Sequence, residues 1–164
     1  MIAMIFVLCT FLASSPLIAQ DAPFAEGIPT QLNITYAHDM GSVGSVELKD
    51  GRLICNYGSI NKKMFLVIPT LDQWTNFIHE LNPAKVYKWA SSYSSHPTAL
   101  DGGFTWSIDF QVGGRSFHST GVSAVPPDGD LTPEQRGNSK TKAFDLFCDA
   151  VSHLTGQGFP TNQY

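Results

Sequence analysis

Cysteine is scarce in this chain. Three occur in 164 residues, Cys9, Cys55 and Cys148, and no two form a Cys-x-x-Cys pair, which excludes a redox dithiol. Basic residues are few as well: ten Lys and Arg stand against 14 Asp and Glu, for a formal net charge of -4. Bases never run more than two in a row, which removes nucleic acid from the candidate partners. Beyond the N-terminal leader there is no second long apolar run, so the exported product is expected to have no membrane span. No internal repeat is present, and low complexity is confined to Ser91-Ser92-Tyr93-Ser94-Ser95, read as a loop.

The N-terminus is unlike the rest. Met1 to Ala13 is nearly all apolar, Ser14-Ser15-Pro16-Leu17-Ile18-Ala19 follows, and no charge occurs before Asp21. That order reads as a secretory signal peptide over 1–19, cut after Ala19, although Lys and Arg are missing ahead of the apolar run and Leu17 is large for its position. The apolar run is too short to span a bilayer well. The product is therefore expected to be exported, periplasmic or extracellular. The remaining chain of about 145 residues suits one domain with its own core: an extended arm over 20–30, a single α+β domain over 31–156 and a C-terminal tail over 157–164. Cys55 and Cys148 both fall on apolar faces. They read either as one disulfide, suited to an oxidising compartment, or as two buried thiols packing as small hydrophobes.

Alternation of apolar and polar residues marks strands at Leu32, Ile34 and Tyr36, at Val46 and Leu48, and at Leu53, Cys55 and Tyr57. The last two are joined by Asp50-Gly51, a strong hairpin dipeptide. Met64 to Ile68 is continuously apolar and reads as a central strand. Thr70-Leu71-Asp72-Gln73 fits a capping box ahead of a helix whose apolar face is Leu71, Trp74, Ile78 and Leu81, ended by Asn82-Pro83. Lys85 to Ala90 is either a strand or a helical turn, and Val86, Tyr87 and Trp89 favour the strand. The clearest strand runs from Phe104 to Val112 and enters a hairpin at Gly113-Gly114. Lys142 to Leu154 carries Phe144, Phe147, Cys148 and Val151 at helical spacing before Gly156. The expected fold is α+β, an antiparallel sheet of about six to seven strands with two helices packed on one face.

A two-residue turn at Gly113-Gly114 places Phe110 opposite Phe117, Asp109 opposite His118 and Ser107 opposite Thr120. The Phe pair then faces the core, and Ser107, Asp109, His118 and Thr120 share the wet face. A Ser, a His and an Asp together admit a nucleophilic reading in which Asp109 orients His118. The plainer reading is a cross-strand pair on a solvated sheet, because an open face lacks an oxyanion hole. Other motifs are incomplete. Ser59-Ile60-Asn61-Lys62 lacks the partner elements of penicillin-recognising enzymes, His79-Glu80 has Pro83 where a zinc protease needs histidine, and the acidic turn from Asp128 has Pro133 where a calcium loop needs glycine. Asn33-Ile34-Thr35 is a glycosylation sequon within a strand. No metal or cofactor is implied. The two long loops, Ala90 to Gly103 and Val122 to Thr141, leave the same end of the hairpin, forming a rim with Tyr93, His96, Asp101, Asp128, Asp130 and Arg136.

Trp89 to Tyr93, Asp101-Gly102-Gly103-Phe104-Thr105-Trp106 and Gly121-Val122-Ser123-Ala124-Val125-Pro126 loosely resemble the Trp-x-x-x-Tyr, Asp-Gly-x-x-Trp and Gly-x-Asn-Ala-x-Pro motifs of uncharacterised secreted bacterial domains. The spacing before Trp106 is one residue longer, and Ser123 stands in place of asparagine. The resemblance covers roughly Ile68 to Leu154 and implies a small exported α+β domain with no assigned activity. The expected function is a non-enzymatic binding module for a protein or small polar ligand, with a hydrolase using His118 and Asp109 as the alternative. Intact mass of the exported product should give a chain beginning at Gln20; a full-length product held in the membrane would refute cleavage.

Overall fold

The computed structural model describes residues 23–24, 27–39, 41, 43–58, 63–95, 103–127 and 141–159. The leader, the Ser59 to Lys62 motif and the acidic turn from Asp128 lie outside the described residues. Seven strands form one sheet: β1 (Gln31–His38), β2 (Val43–Lys49), β3 (Arg52–Tyr57), β4 (Lys63–Val67), β5 (Ser92–Ser94), β6 (Phe104–Val112) and β7 (Arg115–Val122). Their spatial order is β4-β3-β2-β1-β6-β7-β5. All neighbours are antiparallel except β5 and β7, which run parallel. Two helices, α1 (Leu71–Leu81) and α2 (Lys142–Thr155), complete an α+β fold.

Local chemistry accounts for most of these elements. Asp50 and Gly51 both have positive φ, at 51° and 73°, the conformation that a tight hairpin with matching twist demands. Thr70 caps α1 with its side-chain oxygen accepting from the Gln73 N–H at 3.2 Å, and Gln73 returns the bond to the Thr70 N–H at 2.8 Å. Thr141 caps α2, and Gly156 ends it in the left-handed region at φ 67°.

The buried faces of β1, β3 and β6 supply Leu32, Ile34, Tyr36, Leu53, Cys55, Trp106, Ile108, Phe110 and Val112 to one core shared with both helices. Phe77 of α1 meets Phe110 edge-on, with ring centroids 6.1 Å apart, and Phe144 of α2 lies 5.2 Å from Trp106. His153 of α2 bonds Glu80 of α1 at 3.1 Å, which uses the glutamate of the zinc-protease fragment to tie the helices together.

Several expectations change. Met64 to Ile68 is not a central strand: β4 is the sheet edge, and Met64, Leu66 and Ile68 are 70%, 59% and 70% exposed. Lys85 to Ala90 is not a strand. Lys85 turns into the left-handed region at φ 51°, and Val86–Lys88 forms a 3-10 turn closed by Lys88 N–H to the Lys85 carbonyl and Trp89 N–H to the Val86 carbonyl. Ser91 to Ser95 is not merely a loop, because it contains β5. The arm and tail are partly core. Phe24 is buried against Phe110, 5.0 Å between centroids, and Phe159 is buried against Tyr57 at 5.5 Å.

Of the two readings for the cysteines, the structure has the second: Cys55 and Cys148 are buried free thiols. Burial raises the Cys55 thiol from an ordinary 9.0 to about 11. Burial also raises the Tyr57 phenol, against the smaller opposing effect of its hydrogen bond to Thr155. Each acid ionises first in the unfolded chain, so stability should hold below pH 9.0 and fall as the pH climbs towards about 11. Urea titrations across that window should show the fall, shallower in Cys55→Val. Native protein should resist a chromogenic thiol reagent until denatured.

Gly121, opposite Trp106 in the sheet, approaches the indole so closely that a β-carbon would overlap its Nε1 and Cε2 atoms. Gly121→Ala should therefore cost about 3 kcal/mol or more, at the upper end of overpacking effects. The exposed turn change Gly114→Ala meets no atom within 4 Å. It should cost only the strain of its positive φ, and denaturant midpoints of the two variants should separate these effects.

Candidate functional site

The β6–β7 register matches the counted one, with Asp109 opposite His118, Ser107 opposite Thr120 and Phe110 opposite Phe117. His118 Nδ1 and Asp109 Oδ1 are 2.6 Å apart, with the side chains 55% and 34% exposed. Ser107 is not part of this pair. Its hydroxyl bonds sideways to Thr35 Oγ1 on β1 at 2.7 Å, and it stands one cross-strand row away from His118, a diagonal separation of about 7–8 Å.

Two rows of the outer face are largely polar. One runs Asn56, Ser45, Thr35, Ser107, Thr120 and Ser92 from β3 to β5; the next runs Ile54, Glu47, Asn33, Asp109 and His118. Asn56 Nδ2 donates to Ser45 Oγ at 3.2 Å. Asn56 with Ser45, Thr35 with Ser107 and Asp109 with His118 satisfy one another pairwise across an open surface. The backbone of β6 is paired on both sides, so it leaves no converging N–H groups to stabilise an oxyanion.

A concave surface lies beside this face, along the outer edge of β7. It encloses about 610 Å³ and is lined by Phe24, Tyr87, Lys88, Trp89, Ala90, Ser91 and Gly114 to His118. Three separate segments build it. The 3-10 turn is pinned from beneath by Val86, 1% exposed, and by Trp89, whose indole N–H donates to the Ala84 carbonyl at 3.0 Å while its ring packs 6.0 Å from Trp106 and 5.6 Å from Phe147. The chain beyond it is fastened to the C-terminal half of β7, with Ser119 Oγ donating to the Ala90 carbonyl at 2.7 Å and Thr120 N–H to the Ser91 carbonyl at 3.1 Å.

The arm forms the third wall. Phe24 packs edge-on to Tyr87 and Phe117, at 6.3 and 6.1 Å, and Arg115 donates to the Pro23 carbonyl at 3.0 Å with its guanidinium 5.5 Å from the Phe24 ring. Lys88 and Arg115 line the groove with His118, and among the described residues no carboxylate does. Lys88 also borders a smaller groove of about 440 Å³ with Lys85, Lys142, Trp89 and Tyr93.

Of the expected rim, only Tyr93 is among the described residues; His96, Asp101, Asp128, Asp130 and Arg136 lie outside them. Tyr93 sits in β5, half-buried, its ring 6.1 Å from Trp106 and its hydroxyl accepting from the Ala90 N–H at 2.7 Å. It braces the wall of the groove. Phe24, Tyr87, Lys88 and Arg115 were not anticipated from sequence; the one local sign was an isolated aromatic in a polar, proline-containing arm. Among the described residues no group of three His, Cys, Asp or Glu could hold a metal ion, and no helix is long and apolar enough to cross a membrane. No family model matches the chain, and no curated protein is significantly similar to it.

Proposed function

We propose that this protein is an exported, non-enzymatic binding domain that takes its ligand along the outer edge of β7. The observation that carries the reading is the 610 Å³ groove in which His118, Lys88 and Arg115 converge over an aromatic floor. A concave site with a few polar groups over apolar side chains is the ordinary form of a ligand site. The polar sheet face then flanks the groove and extends the contact surface.

One specific observation favours hydrolysis as a second reading: the 2.6 Å His118–Asp109 contact, which orients an imidazole as a catalytic dyad does. Against it stand the engagement of Ser107 with Thr35 and a histidine side chain 55% exposed, which leaves water unexcluded. On the binding reading, the exported protein should give no turnover across a screen of ester and glycoside substrates. Saturable binding to an immobilised peptide or glycan panel should weaken about threefold or more in Lys88→Gln, the loss of one partly exposed charge contact. Turnover that disappears in His118→Ala would sink the binding reading in favour of the hydrolase.

A further inference from the structure

We infer that the groove accepts an extended, acidic peptide segment of a partner protein, added as a strand to the open N-terminal half of β7; this rests on the binding reading above. The backbone supplies the first argument. Along a strand, the N–H and C=O groups of successive residues point alternately to the two neighbouring strands. The Thr120 N–H bonds the Ser91 carbonyl, and the Val122 carbonyl accepts from the Ser95 N–H, so the even-numbered residues of β7 face its outer side. Ser116 and His118 therefore turn their N–H and C=O groups into the groove, and both line it. Strand β5 covers β7 only over Thr120–Val122. Among the described residues, no strand pairs with the outer side from Arg115 to Ser119.

Dimensions and charge supply the rest. Gly114 to His118 border the groove, a length of about five residues at roughly 3.3 Å each, enough for one short strand. Side chains of an added strand would alternate between Phe117, Phe24 and Tyr87 on the inner side and Ser116 and His118 on the outer side, the alternation by which strand addition gains side-chain selectivity. Charge complementarity selects the acidic partner. A chain with only ten Lys and Arg and a net charge of -4 brings Lys88, Arg115 and His118 to this groove, and among the described residues no Asp or Glu lines it. A free edge bordered by cations favours carboxylates on the incoming segment and disfavours a basic one.

The test uses the exported protein and a capped octapeptide of alternating valine and glutamate, with valine–lysine and valine–serine octapeptides for comparison. Each is titrated while amide hydrogen exchange is followed. The glutamate peptide should bind and slow exchange at Ser116 and His118, and N-methylation of its alternate amides in one of the two possible frames should abolish both effects. Lys88→Gln should weaken it about threefold to fivefold, the range of a partly exposed charge pair. Ser116→Pro deletes one outward N–H and should fold yet fail to bind, since proline is tolerated at an edge whose N–H faces solvent. Should that variant not fold, the N-methylated peptides carry the same test. Equal binding of the lysine or serine peptide at these amides would overturn the acidic partner and leave the binding reading standing. Protection of the same amides by self-association without peptide would overturn it in favour of a second copy. Protection elsewhere, or none with any peptide, would overturn strand addition. Turnover dependent on His118 would instead remove the binding reading itself.

Discussion

Trp106 lies against the bare backbone of Gly121, and the positions of the elements around the groove follow from that contact. The indole is 3% exposed and donates its N–H to the Ala124 carbonyl at 2.7 Å, which bends the chain leaving β7 back over the core. Its ring is met by Trp89, Tyr93 and Phe144 at 6.0, 6.1 and 5.2 Å. One side chain therefore sets three things: the depth of the 3-10 turn, the placement of β5 beside β7, and the seating of α2 on the sheet. Aromatic pairs of this kind add about 0.5–1.5 kcal/mol each beyond their area burial. The cluster is thus a rigid base on which the groove's inner wall is mounted.

The two edges of the sheet meet the hazard of unpaired backbone differently. β4 is five residues long, begins at Lys63 and is followed by Pro69, and a short edge with a terminal charge and a proline resists pairing with another chain. On the other side, β5 protects only three residues of β7. The neighbouring stretch is shielded by the 3-10 turn, which stands off the strand instead of bonding along it. That difference makes the β7 edge selective: an incoming segment must fit between β7 and a wall of Tyr87, Lys88 and Trp89, whereas β4 presents Met64 and Leu66 as exposed apolar side chains.

Features governed by neighbours in sequence were legible in the sequence. Gly113-Gly114 dictates the β6–β7 register through turn length, so Asp109 opposite His118 could be counted, and the Thr70 to Gln73 capping box is a four-residue device. Features governed by neighbours in space were not. A continuously apolar run such as Met64 to Ile68 has the pattern of a strand buried on both faces, and only strand order reveals that it is an edge. Val86, Tyr87 and Trp89 have strand propensities, yet the bond from the Trp89 indole to the Ala84 carbonyl and the burial of Val86 curl the segment instead. The groove draws on 24, 87–91 and 114–118, and no local pattern joins these segments. The two-residue turn already aims the backbone groups of Ser116 and His118 away from β6, but only strand order shows that β5 stops short of them.

The His118–Asp109 pair belongs with this edge more naturally than with catalysis. Asp109 is on β6, on the side of β7 away from its open edge. A 2.6 Å bond to Nδ1 draws the imidazole over the sheet and away from the backbone groups of the groove. When the ring is neutral and Nδ1–H donates to the carboxylate, Nε2 is left as an acceptor; when the ring is protonated, both nitrogens donate. Catalysis would need that Nε2 within hydrogen-bond reach of a nucleophile in a site closed to water, and Ser107, one row away and bonded to Thr35, cannot supply it. Recognition needs much less: a ring held in one orientation beside an open strand edge, able to accept from a hydroxyl or, when charged, donate to a carboxylate. The carboxylate of Asp109 provides that orientation from the far side of the strand, where it cannot repel an acidic segment lying in the groove as directly as an acid in the lining would.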